Sequence, residues 1–298
     1  FAQTDSTKIP FVAYWSKGDH YDYLITKINK KWHGEKLEKN DSSSYYASFS
    51  VVDSTENSYT INWRYKTNFT GLPVQFGEYL NNNSIVSEFI YKTNELGEFV
   101  EVINWEEISK KMGEFLNVTI SAYLIKDPKM DVEKLRKFIE PFREIFTSKE
   151  GIETIVLKEL TYFHFPFGFE FDSKETLEYE DELTNLIREK PLRGDSKISF
   201  QTVDYKNGFC SFVHEMKTNS TDAKEMVNSL FTQMGLGNDE IETMIMQSKF
   251  DIEDKNYYQF FFNPGVPYYI ETNRKTEFNT EKTQNKGHEI IRIELILD

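Results

Sequence analysis

Apolar and polar residues follow the same pattern in two stretches of the chain, Ser48–Asn68 and Ser199–Asn219. The second stretch follows the first at a constant offset of 151 positions (219 minus 68), without a gap. In each, an apolar-rich run ends at Val-Asp, a polar turn follows, and a second alternating run ends at Lys-Thr-Asn. This pattern predicts a β-hairpin in both places. The identical pairs are Ser48/Ser199, Phe49/Phe200, Val52/Val203, Asp53/Asp204, Lys66/Lys217, Thr67/Thr218 and Asn68/Asn219.

The repeated pattern extends beyond one hairpin. Tyr179 occupies the place before the second copy that Tyr23 occupies before the first. After the Lys-Thr-Asn end, each copy reaches a further hairpin, with turns at Asn94–Gly97 and Asn263–Gly265. A unit repeated once at long period predicts two tandem modules. The hairpin order favours a curved antiparallel sheet in each module.

The helices of the first module are predicted from a 3.6-residue apolar period. The period indicates a helix over Trp105–Phe115 and another that begins after Asp131. Between them, Val118–Ile125 alternates in the manner of a strand. The helix after Asp131 has one apolar stripe, so we expect it to lie against the sheet.

Together these elements predict an α+β fold made of two tandem curved antiparallel sheets, half-barrel-like, each packed against helices. Residues 1–165 would form the first sheet-plus-helix module and residues 166–298 the second. One continuous domain is the alternative that the sequence leaves open. With 39% hydrophobic and 15% aromatic residues in 298, the chain has enough apolar material for such cores.

The helices of the second module carry the most adaptable apolar surface. Asp222 caps a predicted helix over Ala223–Met234, and another follows over Asp239–Gln247. An ordinary core is the usual explanation of such a surface. Because methionine side chains repack around different shapes at little cost, a ligand lid or a groove for a partner is the alternative. The aromatic run Tyr162–Phe171 is the second such place. The candidate ligand-binding residues are Met226, Leu230, Phe231, Met234, Met244, Phe163 and Phe165.

The net negative charge of the chain argues against a nucleic acid partner. The balance of 35 Lys and Arg against 49 Asp and Glu gives a net charge of −14. Such a surface repels phosphate backbones, so we expect no nucleic acid partner. No apolar run reaches the roughly 18 residues that suggest a spanning helix, so we expect no membrane span. The single cysteine, Cys210, cannot form an internal disulfide and is expected to be a buried packing residue.

The first residues, Phe1–Thr7, resemble the end of a secretory signal followed by a polar mature start. We therefore expect an exported protein, located in the periplasm, the outer envelope or the extracellular space. An arbitrary start of the sequence is the alternative interpretation.

Motifs of catalysis and metal binding are missing from the sequence. The histidines show no i, i+3 or i, i+4 pairing, and no Gly-x-Ser-x-Gly elbow, phosphate-binding loop or dinucleotide fingerprint occurs. We therefore predict no catalytic residue, no metal ion and no cofactor. His164, within the aromatic run, is expected to be packed and hydrogen-bonded, and a role as a cleft base is left open. Carboxylate-rich stretches such as Glu178–Glu182 leave an acid/base pair open as well.

A turn at Lys17–Asp19, the opening strand through Tyr21 and Tyr23, the consecutive long hairpins and the packed helix resemble a group of known proteins. These are uncharacterised exported bacterial proteins whose architecture is similar to lipoprotein-carrier (LolA/LolB-like) half-barrels, here duplicated. The resemblance implies a curved sheet closed by helices around an apolar cavity that holds an acyl chain. It rests on pattern alone, and no binding residue is carried over from it.

The favoured hypothesis is a non-enzymatic exported binding protein with an apolar cavity or groove, whose ligand would be a lipid or a lipoprotein acyl chain. The alternative is a structural or interaction module of the cell envelope without a small-molecule ligand. A glycan hydrolase that uses a carboxylate pair is a third, less favoured hypothesis. The expected partner is accordingly an apolar small molecule or an envelope protein, and the oligomeric state is left open.

Overall fold

The computed structural model of this chain describes residues 7–66, 88–127, 129, 131–187, 190–281 and 283–297. Within these ranges the strands form one eleven-stranded antiparallel sheet and one two-stranded sheet. The strands are β1 (Lys8–Pro10), β2 (His20–His33), β3 (Lys36–Thr55), β4 (Ser58–Lys66), β5 (Glu88–Asn94), β6 (Phe99–Val102), β7 (Glu170–Asp172), β8 (Leu177–Leu183), β9 (Leu192–Asp204), β10 (Phe209–Thr218), β11 (Lys249–Phe261), β12 (Val266–Asn279) and β13 (Gln284–Leu295). The helices are α1 (Trp105–Lys126), α2 (Val132–Thr147), α3 (Lys158–His164), α4 (Ser220–Gln233) and α5 (Asp239–Gln247), with shorter helical turns at Lys149–Gly151 and Ile152–Val156.

The strand order across the large sheet is β6-β5-β4-β3-β2-β13-β12-β11-β10-β9-β8. Neighbouring strands are consecutive in the chain at every position but one, where β2 lies beside β13. In that ladder Ile25 is opposite Ile293, and the pairing extends from Tyr23 to His33 on β2. Among the described residues, β6 and β8 form the two edges of this sheet, while β1 pairs with β7 separately.

The predicted fold class, two tandem sheets each packed against helices, is wrong. The β2–β13 ladder joins the early strands β2–β6 and the late strands β8–β13 in one continuous sheet. The resemblance to duplicated LolA/LolB-like half-barrels is wrong for the same reason, because each half-barrel would need a sheet of its own. The module boundaries 1–165 and 166–298 stay a prediction.

Both hairpins of the repeated pattern are confirmed. β3 pairs with β4, and β9 pairs with β10, each through a short turn. The later hairpins β5–β6 and β11–β12 also turn where predicted. Thr67 and Asn68, which end the first copy, and the signal-like residues 1–6 lie outside the described residues. An internal duplication stays a prediction.

The predicted strand at Val118–Ile125 is wrong, because α1 continues through it. The polar residues of this stretch satisfy their hydroxyl groups within the helix. Thr119 donates to the carbonyl of Phe115, and Ser121 donates to the carbonyl of Asn117, both at 2.9 Å. Such bonds to the preceding turn let alternating apolar and hydroxyl residues remain helical.

Polar side chains cap the starts of α2 and α4. Asp131 accepts hydrogen bonds from two backbone N–H groups of α2, as predicted. The predicted cap of α4, Asp222, is wrong, because Asn219 occupies that place. Asp222 lies inside the first turn and is paired with Arg193, whose Nε is 2.8 Å from Oδ2. α5 has its predicted bounds.

The core lies between α3 and one face of the large sheet, which we term the inner face. Phe163 of α3 is fully buried. Its ring centroid lies 5.3 to 5.5 Å from those of Phe49, Tyr23 and Trp63 on the early strands. Phe11 extends the same core to β10 and β11, since its ring contacts aromatic residues of both. Early and late strands therefore bury one continuous hydrophobic cluster.

Cys210 is a buried packing residue, as expected. Its side chain has no exposed surface on β10. Burial raises the pKa of the thiol to about 12. The thiolate that would react or bind a metal is therefore not formed at neutral pH.

We predict that truncating Ile293 destabilises the whole sheet. Ile293 is fully buried in the β2–β13 ladder, and Ile293→Ala should lower the free energy of unfolding by about 2–5 kcal/mol. Urea denaturation followed by far-UV circular dichroism and by tryptophan fluorescence should give one coincident transition. Ile296→Ala, at a position 39% exposed, is the control and should cost less than about 1 kcal/mol. Two transitions, of which only one shifts, would contradict a shared core.

Candidate functional site

An open groove lies where α3 and the turn after it meet the β5–β6 hairpin; we term it the aromatic groove. Its volume is about 270 Å³. Phe169 is 55% exposed, whereas Leu160 and Phe167 are buried. Most of the lining is apolar, with a few polar groups among the rings. The lining residues are Glu98, Phe99, Glu153, Leu160, Thr161, His164, Phe165, Phe167 and Phe169.

Two glycines allow the turn after α3 to approach the β5–β6 hairpin closely. Gly97 has a φ of +94° and Gly168 a φ of +83°, a region that other residues rarely adopt. A Cβ atom at Gly97 would lie 2.6 Å from the Phe167 ring and 2.8 Å from Cβ of Ala13. A side chain at this position would therefore displace the Phe167 ring from the groove.

His164 is fixed at the end of α3 by two hydrogen bonds. Its Nδ1–H donates to the Gly97 carbonyl at 2.8 Å, so Nε2 is unprotonated and accepts from the Tyr91 hydroxyl, also at 2.8 Å. Burial lowers the pKa of His164 to about 4, against the opposing effect of the Gly97 bond. With both nitrogens engaged, His164 has no lone pair left to take a proton from a ligand.

Three buried polar side chains lie on the inner face next to Phe165; we term His214, Asn256 and Tyr258 the inner polar patch. His214 and Asn256 are cross-strand neighbours on β10 and β11, with Nδ1 and Nδ2 3.5 Å apart. Tyr258 follows on the same face of β11. The ring of Phe165 stacks on His214 at 4.4 Å and on Tyr258 at 5.5 Å between centroids. Phe165 therefore belongs both to the groove lining and to the cover of the patch.

The inner polar patch has unused hydrogen-bonding capacity. His214 Nε2, Asn256 Oδ1 and the Tyr258 hydroxyl have no hydrogen-bond partner within the described part of the chain. Each buried polar atom left unpaired costs about 1–3 kcal/mol. Burial lowers the pKa of His214, and the carboxylates of Asp181 and Asp254 oppose this effect. A patch of this kind can bind an ordered water or a small neutral polar group.

Charged side chains between α3 and the inner face are paired with one another. Arg274 donates to both carboxylate oxygens of Asp254 at 2.7 Å. Glu159, which is 1% exposed, also accepts from the Tyr45 hydroxyl. The ion pairs are Asp254–Arg274, Glu289–Lys158 and Glu159–Lys27. Because removing one partner leaves a buried charge uncompensated, we interpret these carboxylates as structural rather than as an acid/base pair.

The seven candidate ligand-binding residues are spread over two regions. Phe165 lines the aromatic groove, and Phe163 lies in the core beside it. The other residues lie on α4, directly after it, or on α5; α4 packs against β9, β11 and α5. Met244 of α5 is 40% exposed. Of the candidates on the first of these helices, Met226, Leu230 and Phe231 are half-buried, as is Met234 directly after it. Ligand binding by these side chains stays a prediction.

Two features of the site were not recognised from the sequence. Phe99 lines the groove because α3 packs beside the β5–β6 hairpin. The residues next to Phe99 in the sequence do not indicate this packing. His214 is the second such residue. Its position against Phe165 depends on the cross-strand register of β10 and on the fold of the segment after α3.

No three His, Cys, Asp or Glu side chains among the described residues are grouped so that they could hold a metal ion. None of the helices described above combines the length and the apolar character that crossing a membrane requires.

Comparison with known proteins yields distant structural likenesses and no family. No family model matches this chain, and no curated protein matches it. Ail, the attachment invasion locus protein of Yersinia pestis, is 6% identical over 94% of this chain and 100% of its own, with a TM-score of 0.16. The high-pH structure of Pseudomonas putida OprB is 5% identical over 94% of each chain, with a TM-score of 0.26. At TM-scores this low, neither likeness carries an argument about fold or function.

We predict that His164 makes the protein less stable in acid. Its pKa is about 4 in the folded protein and would be about 6.5 in an unfolded chain. Between these values the unfolded state binds more protons, so the stability is fully present above the unfolded pKa. It is lost as the pH falls toward the folded pKa, by on the order of 3 kcal/mol.

Urea denaturation at several pH values measures this effect. His164→Gln keeps a donor and an acceptor but has no titratable ring, so the slope of unfolding free energy against pH should flatten in this variant. His20→Gln, at an exposed position, is the matched control and should keep the slope of the parent. An unchanged slope in His164→Gln would show that the imidazole is not held neutral by burial.

Proposed function

We propose that this chain is an exported, non-enzymatic binding protein of the cell envelope, whose apolar ligand is held in the aromatic groove. The observation that carries the proposal is the groove itself, about 270 Å³ lined mostly by aromatic rings. A cleft lined by apolar side chains with a few fixed polar groups is the usual form of a small-molecule site. Export is part of this proposal.

The size of the groove limits what it can hold. Ligand pockets commonly measure about 300–1,000 Å³, so a groove of about 270 Å³ suits one ring or a short stretch of acyl chain. Each buried methylene contributes about 0.8 kcal/mol. We therefore expect the groove to take one end of a longer ligand, the rest of which extends past the exposed ring of Phe169.

Two carboxylates in the lining of the aromatic groove disfavour ligands that carry a negative charge. Glu153 lines the groove and is held by a hydrogen bond from the backbone N–H of Val102 at 2.8 Å. Glu98 also lines it and accepts from the side chain of Asn94. Fixed negative charges next to a cleft of low polarity repel an anionic headgroup. The ligand proposed here is therefore neutral, such as an acyl chain in ester or amide linkage.

An interaction module of the envelope is the second candidate, and the surface of α4 and α5 favours it. Leu236, Met244 and Met246 are each exposed by 40% or more. Exposed apolar residues can supply the contact surface for another protein. In this alternative the methionine-rich surface binds an envelope protein, and Met244→Ser would affect that contact without affecting the aromatic groove.

Fluorescence titration with two probes tests the proposed site. Nile red is neutral and apolar, so its emission should rise on binding, whereas anilinonaphthalene sulfonate carries a negative charge that Glu98 and Glu153 repel. Phe169→Ser removes an exposed ring from the lining without opening the core. It should weaken Nile red binding about five- to tenfold, the effect expected from one aromatic contact.

Tyr14→Ser is the matched control, because Tyr14 has the same 55% exposure as Phe169 and is not a lining residue. It should leave the Nile red affinity unchanged. Equal affinities in the two variants, or a preference for the anionic probe, would overturn the proposal. A loss in Met244→Ser instead would place the apolar site on α4 and α5.

A further inference from the structure

A second and larger groove lies on the opposite face of the large sheet; we term it the outer groove. Its volume is about 700 Å³. Lys286 and His288 of β13 line it, and they alternate with Ile291 and Ile293, which point into the core. Because side chains of a strand point alternately to its two faces, the outer groove lies on the face away from the core. It shares no lining residue with the aromatic groove.

The first of two cross-strand rows of side chains crosses the groove. Lys217 is opposite Glu253, Glu253 is opposite Lys275, and Lys275 is opposite His288. Lys217 and Glu253 form an ion pair with Nζ and Oε1 3.0 Å apart. Lys275 has no ion-pair partner among the described residues. Neighbours in such a row lie about 5 Å apart, so this row offers alternating donors and acceptors.

The second row runs beside the first and ends at an aromatic side chain. Asp251 is opposite Glu277, Glu277 is opposite Lys286, and Lys286 is opposite Trp32. Glu277 also pairs with Lys249 at 2.8 Å. The half-buried ring of Trp32 lines the groove next to these charged groups. The two rows thus combine an indole with charged hydrogen-bonding groups.

His288 adds a neutral acceptor. Its Nε2 donates to Oδ1 of Asn273 at 3.1 Å, which leaves Nδ1 available. Burial lowers the pKa of His288, and the neighbouring amines of Lys275 and Lys30 lower it further. The imidazole is therefore uncharged at neutral pH.

The charges of the outer groove balance. Four lysines and four carboxylates line it, in a chain whose net charge is −14. A balanced groove has no net attraction for an anion or a cation. What it offers is a dense set of donors and acceptors around one aromatic ring, at a volume within the range of ordinary ligand sites. A ligand whose hydroxyl groups both donate and accept satisfies such a set.

We propose that the outer groove binds a neutral oligosaccharide, with one sugar ring on Trp32 and its hydroxyl groups on the row that contains Glu277 and Lys286. An aromatic ring stacks on the apolar face of a sugar ring and leaves the hydroxyl groups at the edge of the sugar free to form hydrogen bonds. The charged side chains then form charge-assisted hydrogen bonds, which are stronger than those between neutral groups. This site is independent of the aromatic groove, because the sheet separates the two.

An array of immobilised oligosaccharides tests the proposal with the full chain. It carries neutral hexose and N-acetylhexosamine oligomers together with uronate-containing and sialylated ones. We expect binding to neutral oligomers, with affinity unchanged as the salt concentration rises. Trp32→Ala should weaken this binding about tenfold. Glu277→Gln, which keeps the shape of the side chain and removes its charge, should weaken it about threefold.

Matched controls separate the site from the fold. Tyr123→Ala removes a ring that is 51% exposed on α1, and Glu178→Gln removes a carboxylate that is paired with Lys197 at the far edge of the sheet. Both should bind oligosaccharides like the parent. Far-UV circular dichroism and urea denaturation show whether Trp32→Ala has kept its fold. If Trp32→Ala has lost its fold, the binding of oligosaccharides by Glu277→Gln alone tests the proposal.

Three results would overturn the proposal. The first is an array on which no neutral oligosaccharide is bound. The second is full binding by both Trp32→Ala and Glu277→Gln in folded protein. The third is binding confined to the acidic oligomers and lost as salt rises, which would indicate an anion site formed by Lys275 and Lys286.

Discussion

The ladder between β2 and β13 is the constraint on which the rest of the structure depends. Every other strand pair in the large sheet joins strands that follow one another in the chain, so each closes a much shorter segment than the pairing of β2 with β13 does. β2 and β13 come from opposite ends of the sequence, and their pairing turns two series of hairpins into one surface. As a result α3, from the middle of the chain, can bury Phe163 on early strands and pair Lys158 with Glu289 on β13.

One sheet gives the protein two faces with different chemistry. The inner face holds the aromatic core, and where α3 ends, Phe165 connects an apolar groove to buried polar atoms without partners. The outer face carries charged side chains whose positions are set by backbone hydrogen bonds across several strands. Substitutions on one face therefore have little direct contact with the other. Two binding sites could diverge separately on this scaffold.

The sequence predicted what short-range chemistry determines. Hairpin turns, the cap at Asp131 and the aromatic run around Phe165 were recognisable because their signals lie within a few residues. The single sheet was not, since alternation marks a strand but does not say which edges pair. The apolar residues of Val118–Ile125 fit the period of a strand as well as that of a helix, so the surrounding structure determines which of the two forms. Trp32 and Lys286, distant in sequence, become neighbours through register.

The edge strand β8 has a consequence for how copies of this chain meet. An open sheet has unpaired backbone N–H and C=O groups at its edges, and these can form hydrogen bonds with a strand of another molecule. On β8 the residues Glu178, Glu180 and Glu182 alternate along one face and are all exposed. A second copy adding its own β8 would bring two acidic ladders side by side. The repulsion between them disfavours the pairing of two copies at this edge.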